Sequence, residues 1–273
     1  MDKPQKEIIK KLKQISAKMG HSPTKREVPN LAAKCYKHFG SFNLAKKKAC
    51  LSLKNVRFCD FSERAFKIDG DLAKIASYLT FDGHLYKDLS GFYLSSKDVK
   101  NLKEFERLIK KKFGINGKYY LDNGGAGMFK THKFIVFNKE LSKKLFELGI
   151  PKGDKCIQEF NVPKWILNSK NLSKDYLKIA FLCEGSNKEE PGRTPRIQIN
   201  TAKSEDILDS GLRFMNTLRQ MLKKFDINTT KCYICGKRVR KKDNKISKDI
   251  KFRIDINDNN KFINEIAPVF KWG

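Results

Sequence analysis

Acidic residues are in short supply: 30 Asp plus Glu face 58 Lys plus Arg in 273 residues, a formal charge of +28. So large an excess of one sign repels itself in a compact chain, and a polyanionic partner is its usual compensation. Nucleic acid comes first and an anionic membrane surface second. Long apolar runs are missing too: no stretch of about 18 apolar residues occurs, which excludes an ordinary membrane-spanning helix. The opening "MDKPQKEIIKKLKQ" lacks the apolar core of a secretory leader, so a cytoplasmic setting is expected. Paired cysteines are also lacking. Cys35, Cys50, Cys59, Cys156 and Cys183 stand alone, as suits a reducing compartment. "CYIC", Cys232 to Cys235, has metal-ligand spacing, but no second CxxC or HxxxH follows it. Two thiols, one facing in and one out, are expected there rather than a zinc site.

An apolar fraction of 40%, with 20 Phe, is enough to build one large core or two ordinary ones. Residues 1–55 carry 14 Lys plus Arg against 3 acids, a net of +11. "KEIIKKLKQISAKMG" puts Ile8, Ile9, Leu12 and Ile15 on one face. "SPTKREVPNLAAKCYKHFG" follows with Ser22 as the cap candidate, and "SFNLAKKKACL" with Ser41. Three short helices with glycine-containing turns read as a helix-turn-helix-like module. Lys25, Arg26, Lys46, Lys47 and Lys48 are its candidate phosphate contacts.

After a linker at 56–70 the character changes. An apolar helix, "LAKIASYLTFDG", ends in Asp82 and Gly83; 102 residues later "LKIAFLCEG" ends in Glu184 and Gly185. An acid at the negative end of a helix is unfavourable by a few tenths to about 1 kcal/mol. Once, this would read as a solvated C-cap; twice, in matching surroundings, it reads as a duplicated functional element. The first helix leads to a hairpin in "GHLYKDLSGFYLSS". The amphipathic helix "KDVKNLKEFERLIKKKFG" is next, then strands "KYYLD" and "MFKTHKFIVF" joined through "NGGAG", then helix "KELSKKLFELGI". From Tyr176–Glu184 the order restarts: strand "RIQINT", helix "SEDILDSGLRFMNTLRQMLKKF", strands "TKCYIC" and "KFRIDIN", and helix "NKFINEIAPVF". The expectation is an α+β fold of two αββαββα repeats, 71–170 and 171–273.

These residues resemble the LAGLIDADG homing endonuclease family in its single-chain, two-motif form. "IASYLTFDG" retains Ala76, Leu79, Asp82 and Gly83 of the motif, and "LKIAFLCEG" retains Leu177, Phe181, Glu184 and Gly185. "LGIPKGDKCIQEFNVPKWI" is similar to the family's connection between repeats. "SPTKREVPNLAAKCYKHFGSFNLAKKKA" resembles a short repeat often attached to homing endonucleases. The resemblance implies antiparallel sheets forming a DNA-binding saddle and a monomer with internal pseudo-twofold symmetry, needing no obligate protein partner. It also implies Mg2+ or Mn2+ held by Asp82 and Glu184, with the backbone carbonyls of Phe81 and Cys183 in the shell. Lys155 is the implied active-site lysine and Gln198 a water-orienting residue. Phe81 and Ile179 are bulky where the family places small residues, which implies a looser or rotated helix contact; Ser77 keeps the small character.

Strand alternation supplies an independent signal. In "PRIQINT" Ile197 and Ile199 alternate with Arg196, Gln198 and Asn200. In "KFRIDIN" Phe252, Ile254 and Ile256 alternate with Lys251, Arg253 and Asp255. Basic and amide side chains on an open sheet face suit the base edges of the major groove, although a solvated polar face has the same pattern. Tyr93, Lys97, Lys118, Lys130 and Lys133 are the candidates of the first repeat, and Arg193, Lys231 and Tyr233 add to the second. Arg238, Arg240, Lys241 and Lys242, in a presumed loop "GKRVRKKDNKISK", are expected to meet phosphates. The expected activity is cleavage of both strands of double-stranded DNA, by a free-standing or intron-encoded enzyme since intein splicing residues are absent. A non-cleaving binder on the same scaffold, such as an intron RNA maturase or a DNA-binding regulator, is the alternative; a membrane role has only charge behind it.

Overall fold

Three helices form the first of two compact units, Met1–Phe61 and Ser62–Gly273. The structure is a computed structural model that describes residues 2–19, 22–51, 66–122, 131–188 and 196–266. Helix α1 (Lys3–Met19) buries Ile8 and Leu12 against α2 (Pro29–Phe39) and α3 (Phe42–Lys48), with Leu31, Cys35, Phe42 and Ala45 completing a small core. Ile9 and Ile15 lie at its edge. Ser41 caps α3 by accepting from the Leu44 N–H at 3.0 Å. Ser22 does not cap α2. A reciprocal pair in the preceding turn does related work: the Thr24 N–H donates to Glu27 (2.8 Å) and the Glu27 N–H to Thr24 Oγ1 (3.3 Å). Pro29 then opens α2, where its missing N–H is no loss.

The second unit runs α4 (Gly70–Thr80), β1 (Gly83–Leu85), β2 (Phe92–Ser96), α5 (Val99–Phe113), β3 (Lys118–Asp122), β4 (Thr131–Val136), α6 (Lys139–Glu147). A one-turn helix α7 (Lys164–Leu167) intervenes. Then come α8 (Lys170–Glu184), β5 (Gly185–Lys188), β6 (Arg196–Ser204), α9 (Leu208–Lys223), β7 (Tyr233–Val239), β8 (Ile246–Arg253) and α10 (Asn259–Glu265). The fold is α+β, with αββαββα twice over. The sheets are antiparallel, ordered β1-β2-β4-β3 and β5-β6-β8-β7. Their registers correspond rung by rung. Gly83 pairs Leu94, which pairs Phe134; Gly185 pairs Ile199, which pairs Phe252. Tyr120 opposite Lys133 in the first sheet matches Tyr233 opposite Lys251 in the second. Each sheet turns one face to the core: Phe92, Leu94, Phe134 and Val136 are buried in one, Ile197, Ile199, Ile250 and Phe252 in the other.

Several boundaries differ from those read in the sequence. Helix α8 starts at Lys170, six residues early, because Ser169 caps it through the Leu172 N–H (3.3 Å). Strand β5 was not expected, since "GSNK" has no apolar alternation; its pairing with β6 defines it. The presumed loop after "TKCYIC" begins late: Lys237 and Arg238 continue β7 beyond a bulge at Gly236 (φ 76°). Ile256 is exposed rather than inward, because β8 ends at Arg253 and a 3-10 turn follows. The "NGGAG" connection, Cys59, most of the 56–70 linker, Lys130, Arg193 and the end of the last expected helix lie outside the described residues.

At the centre of the second unit α4 and α8 run side by side in one direction. At one end Lys74 meets the Asp175 carboxylate at 3.4 Å, and a Cβ on Gly70 would come 2.2 Å from it. Ala73, Ala76, Ser77 and Ala180 are buried, and the Ser77 hydroxyl donates to the Tyr176 carbonyl at 2.7 Å. A bond from side chain to backbone at that length needs close approach, so the contact is tight and not loosened. Phe81 does not wedge the pair apart: its ring packs against Tyr176 and Phe214, 5.9 Å from each.

Candidate active site

The apolar helix α4 stops at Thr80, Phe81 closes it with an N–H bond to the Ser77 carbonyl, and β1 starts at Gly83. Only Asp82 separates cap and strand. Gly83 is required by packing: a Cβ would stand 2.8 Å from Leu79 Cα and 2.9 Å from the Tyr78 carbonyl. Helix α8 likewise passes straight into β5, with Glu184 its last residue and the Gly185 N–H bonded to Phe181. Because the helices run together, the two junctions meet. The Cys183 thiol hydrogen-bonds the Asp82 carboxylate, and the charges of Asp82 and Glu184 act on each other.

Both acids are half-buried. Burial pushes Asp82 above the usual carboxylate range, against the pull of the Cys183 bond and Lys155. Burial, and then the charge of Asp82, push Glu184 up to about 7. Lys155 supplies the opposing charge. It arrives on a short 3-10 turn, Lys155–Ile157, capped by Asp154 through the Cys156 N–H at 3.1 Å. Its ammonium donates to the carbonyls of Leu79 (3.4 Å), Gly83 (2.7 Å) and Phe81. The Leu79 and Phe81 carbonyls stand at the end of α4, where acceptors are orphaned and a cation is favoured; Gly83 opens β1. Burial lowers this lysine to about 8, while Glu184 and Asp82 hold it up. The Phe81 carbonyl, expected in a metal shell, is therefore engaged by Lys155 here.

The donor set is hard oxygen. Two convergent carboxylates that resist joint ionisation suit a divalent cation such as Mg2+, which keeps most of its waters and takes one or two carboxylates. Among the described residues no group of three or more His, Cys, Asp or Glu is placed to hold a metal ion.

Gln198 is not an open groove-facing side chain. It is 4% exposed, lies across from Ser186, two residues beyond Glu184, and its amide donates to the Ser186 hydroxyl at 3.0 Å. Its other neighbour is Arg253. By the strand registers, Arg196, Asn200, Lys251, Arg253 and Tyr233 share one face with Gln198. The Arg253 guanidinium lies 5.6 Å from the Tyr233 ring, and Arg253 Nε and the Tyr233 hydroxyl are buried with no hydrogen-bond partner among the described residues. In the first sheet the corresponding face carries Tyr93, Lys118 and Lys133, with the Lys133 ammonium 5.0 Å from the Tyr93 ring centroid. Sequence reading missed its aromatic row. His84 stacks on Tyr93 at 5.2 Å, and Tyr86 lies 5.7 Å from Tyr93. A helix-acid-glycine-histidine run followed by alternating tyrosines was the available signal.

The basic residues divide. Lys97, Lys231 and Lys241 are exposed, as are Lys25, Arg26, Lys47 and Lys48 in the first unit; Lys242 is exposed too, with its ammonium 3.8 Å from the Asp154 carboxylate. Lys46 is not: it is 2% exposed, its ammonium 5.8 Å from the Phe42 ring centroid, and burial lowers its pKa. Arg238 pairs with Asp249, and Arg240 with Asp154 and Asp243, so both have partners inside the protein.

Residues 3–51 match the family described as the homing endonuclease associated repeat. A tRNA-splicing ligase RtcB from Pyrococcus abyssi is 27% identical over 176 residues, 59% of this chain and 19% of that protein. The replication factor C small subunit of Methanocaldococcus jannaschii is 23% identical over 211 residues, 74% of this chain and 11% of that protein. The chain thus spans a small part of these relatives, and similarity shared by two differently named proteins carries neither name's activity. A solved structure of mesophilic variants of the homing endonuclease I-DmoI is 13% identical, with a TM-score of 0.46 over 74% of this chain and 94% of that one. No helix among the described residues is long and apolar enough to cross a membrane.

Proposed function

We propose that this protein is a site-specific, divalent-metal-dependent endonuclease that hydrolyses both strands of a long double-stranded DNA target. The observation that carries this reading is the meeting of Asp82, Glu184 and Lys155 where two paired helices end. Hydrolysis of a phosphodiester needs a negatively charged phosphate to accept a nucleophile. Bound Mg2+ or Mn2+ would supply the needed chemistry by acidifying water and polarising phosphoryl oxygens. Asp82 and Glu184 are the residues to hold it. Lys155 keeps positive charge beside them and offers a donor to phosphate. Gln198, its amide fixed by Ser186, orients water near Glu184.

Arg253 Nε and the Tyr233 hydroxyl, beside Lys251 and without a partner among the described residues, support a nucleic-acid ligand on the second sheet, since buried polar atoms ordinarily have partners. Excess charge and the match of residues 3–51 support a second contact from the N-terminal unit. A non-cleaving binder, such as an RNA maturase or a DNA-binding regulator, is the competing reading. One observation favours it: Lys155 already takes the Phe81 carbonyl that a metal shell would use.

Incubating the chain with a randomised double-stranded library and magnesium tests the choice. Recovery of one cut sequence, lost on chelation, supports the endonuclease; retention of DNA or RNA without any cut supports the binder. Deleting residues 1–55 should flatten the dependence of log K on log salt, because fewer counterions are released. An unchanged slope would remove that unit from the interface.

A further inference from the structure

Lys155 serves the first repeat from a segment that two little-exposed side chains of the second repeat hold, with the exposed Lys242 3.8 Å from Asp154 beside them. One is Lys203. It lies on β6 in a fully buried position, where alternation with Ile197 and Ile199 would lead one to expect another apolar side chain. Its ammonium donates to the backbone carbonyls of Lys155 (2.6 Å) and Gln158 (2.7 Å) and sits 3.7 Å from the Phe160 ring centroid. An ammonium withdrawn from water is costly unless its donors find acceptors, and both of these carbonyls belong to that segment. The neighbouring helix leaves room for it: a Cβ on Gly211 would come 2.6 Å from Lys203 Cγ. The other is Arg240, in the β7–β8 turn. Its guanidinium reaches both carboxylate oxygens of Asp154, at 2.5 and 3.5 Å, and Asp243 at 3.0 Å, with its side chain 12% exposed. Asp154 adjoins Lys155 and caps its turn.

We infer that Lys203 and Arg240 are positioning residues that clamp residues 154–158 from either side, so that the Lys155 ammonium is held at the end of α4 beside Asp82. The clamp makes the first-repeat half of the site depend on two side chains of the second repeat. Neither touches the reacting groups. The inference rests on the reading of Lys155 as part of the site, and it replaces the expectation that Arg240 contacts phosphate.

The test uses the full chain and the variants Lys203→Met, Arg240→Gln and Arg240→Lys. Acetic anhydride labelling with peptide mapping reads the accessibility of Lys155 whether or not the protein cuts DNA. Labelling of Lys155 should be slow in the parent and about tenfold faster in Lys203→Met and Arg240→Gln, with exposed Lys241 unchanged. Single-turnover cleavage should fall about 100-fold, as displacement of a catalytic group by about 1 Å does. DNA affinity and its salt slope should stay as in the parent, and Arg240→Lys should recover part of the rate. Unchanged Lys155 protection in folded variants overturns the clamp. So does an Arg240→Gln variant whose salt slope drops by about one while Lys155 stays protected, the mark of a lost phosphate contact. If Lys203→Met shows no cooperative melt, Arg240→Gln decides by the same labelling. A parent that cuts no DNA sinks the endonuclease reading and leaves the labelling result to judge the clamp.

Discussion

Lys155 faces both acids; beside Asp82 stand the Cys183 thiol and the aromatic row His84, Tyr86 and Tyr93, and beside Glu184 stand Ser186, Gln198 and Arg253. The registers make these direct counterparts. His84 corresponds to Ser186, Tyr93 to Gln198 and Ile135 to Arg253. The buried rungs kept their character, Leu94 and Phe134 against Ile199 and Phe252, because a core position tolerates little change in volume. The outward rungs diverged, one towards rings and the other towards hydrogen-bonding groups. The two sheets therefore share a buried frame and differ on their other faces.

The sharpest way to break that comparison is at the acids. Asp82→Asn and Glu184→Gln should each lower single-turnover cleavage by about 100- to 1,000-fold while DNA affinity holds, the scale of losing a central electrostatic group. If one variant cuts at the parental rate, that repeat's acid is a solvated cap and the halves are unequal in kind.

Stability against pH gives the next largest effect. Glu184 sits at about 7 in the folded chain against 4.5 for the free side chain. The folded state therefore holds more protons between those values. Stability from this group is complete below about 4.5 and is lost as pH rises through 7, by about 1–3 kcal/mol after allowance for solvent. Glu184→Gln should remove that slope from thermal melts, and saturating magnesium should flatten it. A parental slope surviving in Glu184→Gln would show that another group is responsible.

Lys133 and Lys251, at equivalent rungs, sharpen the comparison further. Alanine at each should relax base preference in opposite halves of the target, by about 1–3 kcal/mol where the lysine reads a base. Arg196→Ala and Arg253→Ala should act on the same half as Lys251→Ala. Selection profiles in which all four affect one half would end the pseudo-symmetric account. The smallest effect belongs to Lys241→Ala or Lys242→Ala, which should weaken every sequence alike and reduce the salt slope by about one.

The duplicated frame was legible because an acid and a glycine ending an apolar helix is locally unfavourable, and occurs twice. Amphipathic α5 was equally plain: Leu102, Phe105, Leu108 and Ile109 are all buried. What sequence could not supply were pairings made by partners distant in the chain. Strand β5 exists through β6, and Gln198 is covered between Ser186 and Arg253 although alternation assigns it to the open face. Lys203 and Lys46 break the rule that lysines face water, and only their surroundings explain them: two carbonyls and a ring for one, a ring for the other. Arg240 reads like its neighbours Lys241 and Lys242 in sequence, but it is drawn in against Asp154, 86 residues earlier, while Lys242 stays exposed.

The placement of Lys155 also fixes an order of assembly during synthesis. A ribosome that has just completed residue 170 has made Asp82 and Lys155, yet the strand carrying Lys203 and the turn carrying Arg240 are still unmade. The nascent first repeat thus has its acid, its lysine and the carbonyls that lysine meets, but not the two side chains proposed to clamp its segment. Only when β6, and later the β7–β8 turn, leave the exit tunnel is that clamp complete, so the first half of the site to be encoded is among the last to be finished.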